Sequence, residues 1–124
     1  LVAWIDIVAG SVARRHCRRN VTTAEIDSLQ FKAPVYAGNF VALHGKVTYV
    51  GRTSMEIRVD SYVEELSGKR KLVNTAYLVV VALDENGKPT PVPRLICESD
   101  EEKAEWAAGE KRRELRKKRR EEAF

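Results

Sequence analysis

The chain has 124 residues, of which 44% are hydrophobic and 32% charged, and its formal net charge is +4. This size and composition describe one folded domain and exclude a wholly disordered chain. A chain of this length can bury roughly two-thirds of the surface that its unfolded form exposes, so it can build a hydrophobic core without disulfides or metal.

The two cysteines and two histidines are spaced in a way that matches no metal-binding or redox motif. Cys17 and Cys97 lie far apart, and His16 and His44 are not spaced as paired ligands. We therefore predict no metal, no cofactor and two reduced thiols, as in a cytoplasmic protein. The apolar run at the start of the chain contains Asp6 and falls short of the roughly 20 residues that span a bilayer, so we expect no membrane insertion.

The first predicted element is a helix over Leu1–Ala13, which is apolar nearly all round and is followed by a cluster of arginines. A helix that is apolar on every side belongs inside a larger structure, and the arginines mark where it emerges. The apolar residues then follow a period of two, which predicts antiparallel β-strands joined by short turns. The four predicted strands are Val21–Phe31, Phe40–Val50, Thr53–Glu65 and Leu72–Asp84.

Two of these strands carry further information. In the third strand, apolar residues alternate with charged ones such as Glu56, Arg58 and Asp60, which predicts a half-buried strand. The segment Leu78–Leu83 of the fourth strand is apolar on both faces, so we expect it to lie centrally. The helix would cover one face, and a partner subunit is the simplest cover for the other.

The last predicted element is a charged helix from about Ser99 to Glu122. It begins with acidic residues and ends with Lys111–Arg120, in which eight of ten residues are basic. This distribution complements the helix dipole, so the basic run need not bind nucleic acid. The predicted fold is α+β, with an antiparallel sheet around a central helix in residues 1–98 and a charged helix in residues 99–124.

Asp6 is the first candidate for chemistry, since it is the only ionisable side chain in the first thirteen residues. An unpaired buried carboxylate is costly, so Asp6 should face a polar cavity, a partner's hydrogen-bond donors or a substrate. The alternative is an ordinary aspartate in the first turns of a helix, where the dipole favours a negative charge.

A second candidate is the turn Gly51–Ser54, which presents a guanidinium and two hydroxyls at one point. Backbone amides, hydroxyls and arginine can converge on phosphate in such a turn, although an ordinary hairpin has the same composition. On the first strand, Thr23, Glu25 and Asp27 are spaced to share one face and suggest a polar patch. We expect an exposed His16, and His44 is interpreted as a strand residue and not a catalyst.

Several segments, taken in chain order, resemble one family. They are Trp4-Ile5-Asp6 with Ala9-Gly10, Asn20 to Asp27, Phe31 to Val35 with Gly38, Val50 to Glu56, and Val81 to Asp84 with Pro91-Val92-Pro93. Together they resemble the hotdog-fold acyl-CoA thioesterases of the cytosolic, brain-type group and their bacterial relatives. The sequence carries no GxSxG, P-loop or GxGxxG motif that would indicate a different enzyme class.

The resemblance implies a helix wrapped by an antiparallel sheet, dimers with shared active sites, and commonly a hexamer built as a trimer of dimers. It implies hydrolysis of fatty acyl-CoA to fatty acid and CoA, with Asp6 as general base or nucleophile and Thr23 near the site across the dimer interface. The family's Gly-Gly pair and upstream Asn would precede Leu1, so we expect the N-terminal part of the family domain to be missing here.

The resemblance also implies a route for CoA. The turn of Gly51, Arg52, Thr53 and Ser54 would border the pantetheine and phosphate groups, and some of Arg112, Arg113 and Arg116 are candidates for contact with the nucleotide. For the arginines of the charged helix, the competing interpretation is a solvated helical face.

Two other functions compete with hydrolysis. A nucleic-acid or acidic-protein binder would use the basic helix. No aromatic residues alternate with its basic residues, Trp106 being the aromatic residue nearby, and its acidic first half would repel phosphate. A non-catalytic hotdog domain for assembly or CoA-ligand binding would not need Asp6, which is present. We therefore predict an enzyme that does not bind nucleic acid.

Overall fold

The computed structural model describes residues 1–36 and 38–122, without the side chains of residues 28–30 and 122; Ala37, Ala123 and Phe124 lie outside the described residues. The elements are α1 (Val2–Cys17), β1 (Asn20–Phe31), β2 (Phe40–Val50), β3 (Ser54–Glu64), β4 (Arg70–Leu83) and α2 (Asp100–Glu122). The four predicted strands and both predicted helices are thus present. Helix α1 runs four residues further than predicted, past its first arginines.

The four strands form one antiparallel sheet in the order β1-β4-β3-β2. The prediction that the fourth strand is central is confirmed, since β4 pairs with β1 on one side and β3 on the other. The β3–β4 hairpin turns at Gly68, whose φ of 86° lies in the region that favours glycine. The α+β class predicted from the sequence is therefore the observed class.

Helix α1 packs across one face of this sheet. Its buried residues recur every four positions and face a core that includes Ile57 and Leu78; they are Ile5, Ala9, Ala13 and Cys17. The sheet of this chain covers one side of the helix only, so the expected burial is observed on that side. Trp4 and Ile7 are 61% and 65% exposed.

Helix α2 packs on the opposite face. The ring of its Trp106 lies 4.3 Å, centroid to centroid, from Tyr49 of β2, and its arginines reach carboxylates of β1 and β3. Part of the sheet face that the sequence assigned to a partner subunit is thus covered by this helix. Among the described residues, no helix is both long enough and apolar enough to cross a membrane.

Gly109 marks the closest approach of α2 to the sheet. A Cβ at this position would lie 2.8 Å from Tyr49 Cβ and 3.0 Å from Glu56 Oε1. We expect Gly109→Ala to lower the free energy of unfolding by about 2 kcal/mol, although alanine is the better helix former. In Gly10→Ala, the matched control, the added Cβ meets nothing within 4 Å, so stability should rise by up to about 1 kcal/mol. Urea unfolding measures both, and equal effects would contradict the close approach.

Candidate active site

Asp6 and Thr23 form the polar centre of the α1 face. The Thr23 hydroxyl of β1 donates a hydrogen bond to Asp6 Oδ1 at 2.7 Å. Asp6 is half-buried, between the fully buried Ile5 and the exposed Ile7. Within the described chain Oδ2 has no hydrogen-bond partner, so one carboxylate oxygen is held in place and the other is left for a ligand.

A bulge in β1 creates this pairing. The register with β4 shifts between Thr23 and Glu25, which leaves Ala24 as an extra residue. The bulge reverses the alternation of side chains, so Thr23 points to one face of the sheet and Glu25 and Asp27 point to the other. Thr23 faces α1, whereas Asp27 bonds to Arg116 and Arg119 of α2. The prediction that Thr23, Glu25 and Asp27 share one face is therefore wrong, because the period of two is interrupted at Ala24.

Open and apolar surface surrounds Asp6. Gly10 lies one helical turn further along α1, and a side chain added there would meet nothing within 4 Å. Val2, Trp4 and Ile7 of α1 and Ile26 of β1 are between 41% and 65% exposed. A carboxylate beside such a surface suits a ligand with a reactive polar group and an apolar chain, and the same surface suits a second subunit.

The turn Gly51–Ser54 lies at the same end of the sheet as Thr23, two strands away, since Ser54 and Thr22 pair with the same residue of β4, Val81. It is closed by the Gly51 amide, which donates to the Ser54 carbonyl at 2.8 Å, and the Arg94 guanidinium donates to the Gly51 carbonyl. Gly51 is buried, Arg52 is exposed, and Thr53 and Ser54 are half-buried. The turn therefore has a fixed backbone and presents the side chain of Arg52 to solvent.

Arg113 of α2 lies beside this turn. A Cβ at Gly51 would be 3.4 Å from Arg113 Cζ, so the absence of a side chain at Gly51 leaves room for the guanidinium group of Arg113. Arg113 lines two cavities, of about 510 Å³ with Thr53 and Ser54 and of about 470 Å³ with Gly51 and Arg52. The structure thus brings together five of the predicted CoA-binding residues on the side of the sheet that adjoins α2, whereas Thr23 faces α1.

Arg112 occupies a different environment from Arg113. Its guanidinium donates to both carboxylate oxygens of Glu56, at 2.7 and 2.9 Å, and lies 3.9 Å from the centre of the Tyr77 ring. These contacts favour a structural role for Arg112. A nucleotide could contact Arg112 only by displacing the carboxylate of Glu56, which is 2% exposed.

Glu56 is the centre of a buried ion network between the sheet and α2. It also accepts hydrogen bonds from the Thr48 hydroxyl at 2.6 Å and from Arg116 at 3.2 Å. Burial alone would raise the pKa of Glu56, but the hydrogen bonds from Arg112 and Thr48 and the two arginine charges together hold this pKa below its ordinary value. The half-buried face predicted for β3 is therefore covered, and its charged residues point into α2.

Sequence reasoning missed Glu56, Arg116 and Glu105 as members of this network. One signal was available: Glu105, Arg112, Arg116 and Arg119 recur at three-, four- or seven-residue spacing, which places them on one face of α2. Three of the eight basic residues in the C-terminal run pair with carboxylates of the sheet, which favours a structural role for these three. The predicted absence of a nucleic-acid partner remains a prediction.

The histidines and cysteines are not grouped into a site. His16 is half-exposed and its Nε2 donates to the Pro93 carbonyl at 2.9 Å, whereas His44 is exposed on β2. Cys17 is buried and Cys97 half-buried, and both are free thiols. Within residues 1–36 and 38–122 no cluster of three or more His, Cys, Asp or Glu residues could hold a metal ion.

A family comparison decides what this fold is. Residues 1–67 match the model of the thioesterase superfamily. The chain belongs to the thioesterase superfamily. This membership confirms the resemblance seen in the sequence, and the α1–sheet packing with Asp6 and Thr23 lies within the matched residues.

Two thioesterase relatives resemble much of the chain. The uncharacterized acyl-CoA thioester hydrolase YkhA of Bacillus subtilis is 47% identical over 103 residues, which are 82% of this chain and 60% of that protein. The cytosolic acyl coenzyme A thioester hydrolase of Rattus norvegicus is 38% identical over 112 residues, which are 87% of this chain and 29% of that protein. The chain therefore spans three-fifths or less of the length of these relatives.

Solved thioesterase structures show the same architecture. A hexameric acyl-CoA thioesterase in its apo form superimposes with a TM-score of 0.89 at 42% identity, covering 95% of this chain and 76% of that one. An acyl-CoA hydrolase from Staphylococcus aureus, in complex with butyryl coenzyme A, coenzyme A and coenzyme A disulfide, gives 0.90 at 36% identity, covering 98% and 75%.

Proposed function

We propose that the protein hydrolyses acyl-CoA thioesters to a free acid and CoA, as part of a cytoplasmic enzyme. The observation that carries the proposal is the hydrogen bond from Thr23 to Asp6, which fixes a carboxylate beside open apolar surface. The relatives named above are acyl-CoA thioester hydrolases, one of them cytosolic. In the Staphylococcus aureus hydrolase, structures were solved with alanine in place of an aspartate and of a threonine that are 17 residues apart, the separation of Asp6 and Thr23.

In the proposed reaction Asp6 acts on the thioester carbonyl in one of two ways. As a general base it removes a proton from water, which attacks the carbonyl carbon; the C–S bond breaks and the CoA thiolate leaves and is protonated. As a nucleophile it attacks the carbonyl carbon and forms a mixed anhydride as the C–S bond breaks and the CoA thiolate leaves; water then hydrolyses the anhydride to the free acid and the Asp6 carboxylate. A single turnover in ¹⁸O-labelled water separates them, since only the anhydride route can leave the label on Asp6.

Thr23 positions the carboxylate in both schemes. Its hydroxyl holds Oδ1 and so directs Oδ2 away from β1. The aspartate and its orienting hydroxyl can thereby act on one reacting carbonyl.

The CoA moiety is assigned to the turn Gly51–Ser54. Arg52 and Arg113 offer two guanidinium groups there, and Thr53 and Ser54 line the adjoining cavity. Arginine is well suited to phosphate because its planar fork can donate two parallel hydrogen bonds. Because the turn adjoins α2 and Asp6 lies on the opposite face of the sheet, a second subunit that brings its own turn towards Asp6 would complete the site.

We therefore propose a homo-oligomer with shared active sites, built from dimers and reaching a trimer of dimers. The thioesterase of similar fold is described as hexameric, and the exposed face of α1 supplies an apolar surface for a partner. At micromolar concentration we expect sedimentation as an oligomer. Trp4→Lys should shift it towards the monomer, whereas Leu66→Lys, at a hairpin position that is fully exposed, should not. A wild-type monomer would contradict the proposal.

The proposed activity is tested by a hydrolysis assay over acyl-CoA substrates of increasing chain length, with the released CoA thiol detected. Turnover that rises with enzyme concentration and depends on Asp6 supports the assignment. Binding of acyl-CoA without turnover, by a folded protein, would instead indicate a non-catalytic CoA-ligand domain.

A further inference from the structure

A groove at the C-terminal end of α1 is not used by the proposed reaction. It has a volume of about 660 Å³, within the range of small-ligand sites. Four arginines of α1 and its terminal turn form one wall, and the end of β4 with Asp84 and Glu85 forms the other. The arginines are Arg14, Arg15, Arg18 and Arg19.

These four guanidinium groups are free of carboxylate partners. All four residues are exposed, and no ion pair within the described residues includes any of them. This contrasts with Arg112, Arg116 and Arg119 of α2, which pair with carboxylates of the sheet. Four cations without a carboxylate partner therefore stand together at the end of α1.

The helix dipole explains only part of this cluster. Arg14 and Arg15 lie in the last turn of α1, where a positive charge is favourable. Arg18 lies beyond the helix in a left-handed conformation with φ of 59°, a position that favours glycine and costs other residues about 1 kcal/mol or more. Glycine would cap the helix at this position at a lower conformational cost, so capping alone does not account for the arginine side chain.

The opposite wall defines the ligand further. Asp84 Oδ1 is occupied, because it accepts the amide groups of Asn86 and Lys88 at 2.8 and 3.0 Å. Glu85 is exposed in the groove and would repel a phosphate placed beside it, but it can accept hydrogen bonds from hydroxyl or amino groups. A ligand with clustered phosphates at one end and such donors at the other fits both walls.

We propose that this groove binds a nucleoside carrying two or more phosphate groups, with the phosphates on Arg14, Arg15, Arg18 and Arg19 and the ribose or base directed to Glu85. The same chemistry occurs in two sources, a free nucleotide and the nucleotide end of a CoA ester; the second source would replace the turn Gly51–Ser54 as the site of the CoA phosphates. Binding of the nucleotide itself does not depend on the thioesterase proposal; only the choice between the two sources does.

Calorimetric titration of the full chain with adenosine 3′,5′-bisphosphate at 0.1 M salt tests the proposal, with adenosine as the uncharged comparison. The variant Arg14→Ala/Arg18→Gly removes two cations and relieves the strained backbone at Arg18, so it should fold with an undiminished thermal midpoint. We expect it to weaken bisphosphate binding at least tenfold. The charge-matched control Lys117→Ala/Lys118→Ala, on exposed residues of α2, should change it less than twofold.

The source is decided by two further measurements. If the groove holds the nucleotide end of the substrate, the Arg14/Arg18 variant raises KM for acyl-CoA but not for an acyl-pantetheine. If it holds a free nucleotide, saturating CoA does not displace the bisphosphate. The proposal is overturned if the bisphosphate binds no better than adenosine, if the lysine control loses as much affinity, or if duplex DNA binds through the same arginines more tightly than the bisphosphate.

Discussion

The substitution Asp6→Asn is expected to lower kcat for acyl-CoA hydrolysis by at least about 100-fold, with binding of CoA nearly unchanged. Asparagine has the shape of aspartate and can still accept the hydrogen bond from Thr23. It cannot take a proton from water and is a poor nucleophile. The loss should therefore fall on the chemical step and not on substrate affinity.

The control measurements for Asp6 use stability and the matched Thr23 variants. Asp6→Asn should leave the thermal midpoint unchanged or raised, because it removes a half-buried charge. Thr23→Ser keeps the hydroxyl and should retain most activity, whereas Thr23→Val should lose about tenfold in kcat. Full activity in folded Asp6→Asn, or its failure to fold, would make Asp6 a structural residue.

The largest expected effect on stability is that of Glu56→Gln, which should lower the free energy of unfolding by about 3 kcal/mol. Glutamine keeps the shape but removes the negative charge that faces Arg112 and Arg116. Arg116 is 5% exposed, so its charge would lose one of its two carboxylate partners in a place that water barely reaches. Breaking a buried pair in this way costs more than the pair itself contributes.

Urea unfolding followed by Trp106 fluorescence measures this loss. Glu64→Gln, at an exposed position of the same strand, is the matched control and should stay within about 0.5 kcal/mol of wild type. The pKa of Glu56 is lowered in the folded state from its ordinary value of 4.5. Its contribution is therefore complete above pH 4.5 and is lost as the pH falls through the lowered value. A difference between wild type and Glu56→Gln that persists in acid would contradict the network.

The amino-acid sequence was sufficient for the secondary structure and its order. Periodicity of two, turn residues and the acidic-to-basic gradient of the last helix are local properties of the chain, and the observed β-strand boundaries lie within two residues of those predicted. The apolar segment Leu78–Leu83 identified the central strand, because only a strand with neighbours on both sides and layers above and below buries both of its faces.

The candidate residues Asp6 and Thr23 could also be identified from the sequence, since a carboxylate in an apolar helix is costly and the family resemblance indicated both positions. Their pairing was not predictable from spacing. It depends on the bulge at Ala24, which turns Thr23 towards α1 and Asp27 towards α2. A one-residue irregularity of this kind depends on contacts with β4, which are distant in sequence.

The direction of the arginines was decided by tertiary structure alone. The run Lys111–Arg120 has the composition of a solvated or ligand-binding surface, but Arg112 and Arg116 point into the sheet because the carboxylates of Glu56 and Asp27 lie there. The arginines at the end of α1 meet no such carboxylates among the described residues and stay free. Composition fixes how many charges a chain carries, whereas burial and the partners across the fold determine which of them remain for a ligand.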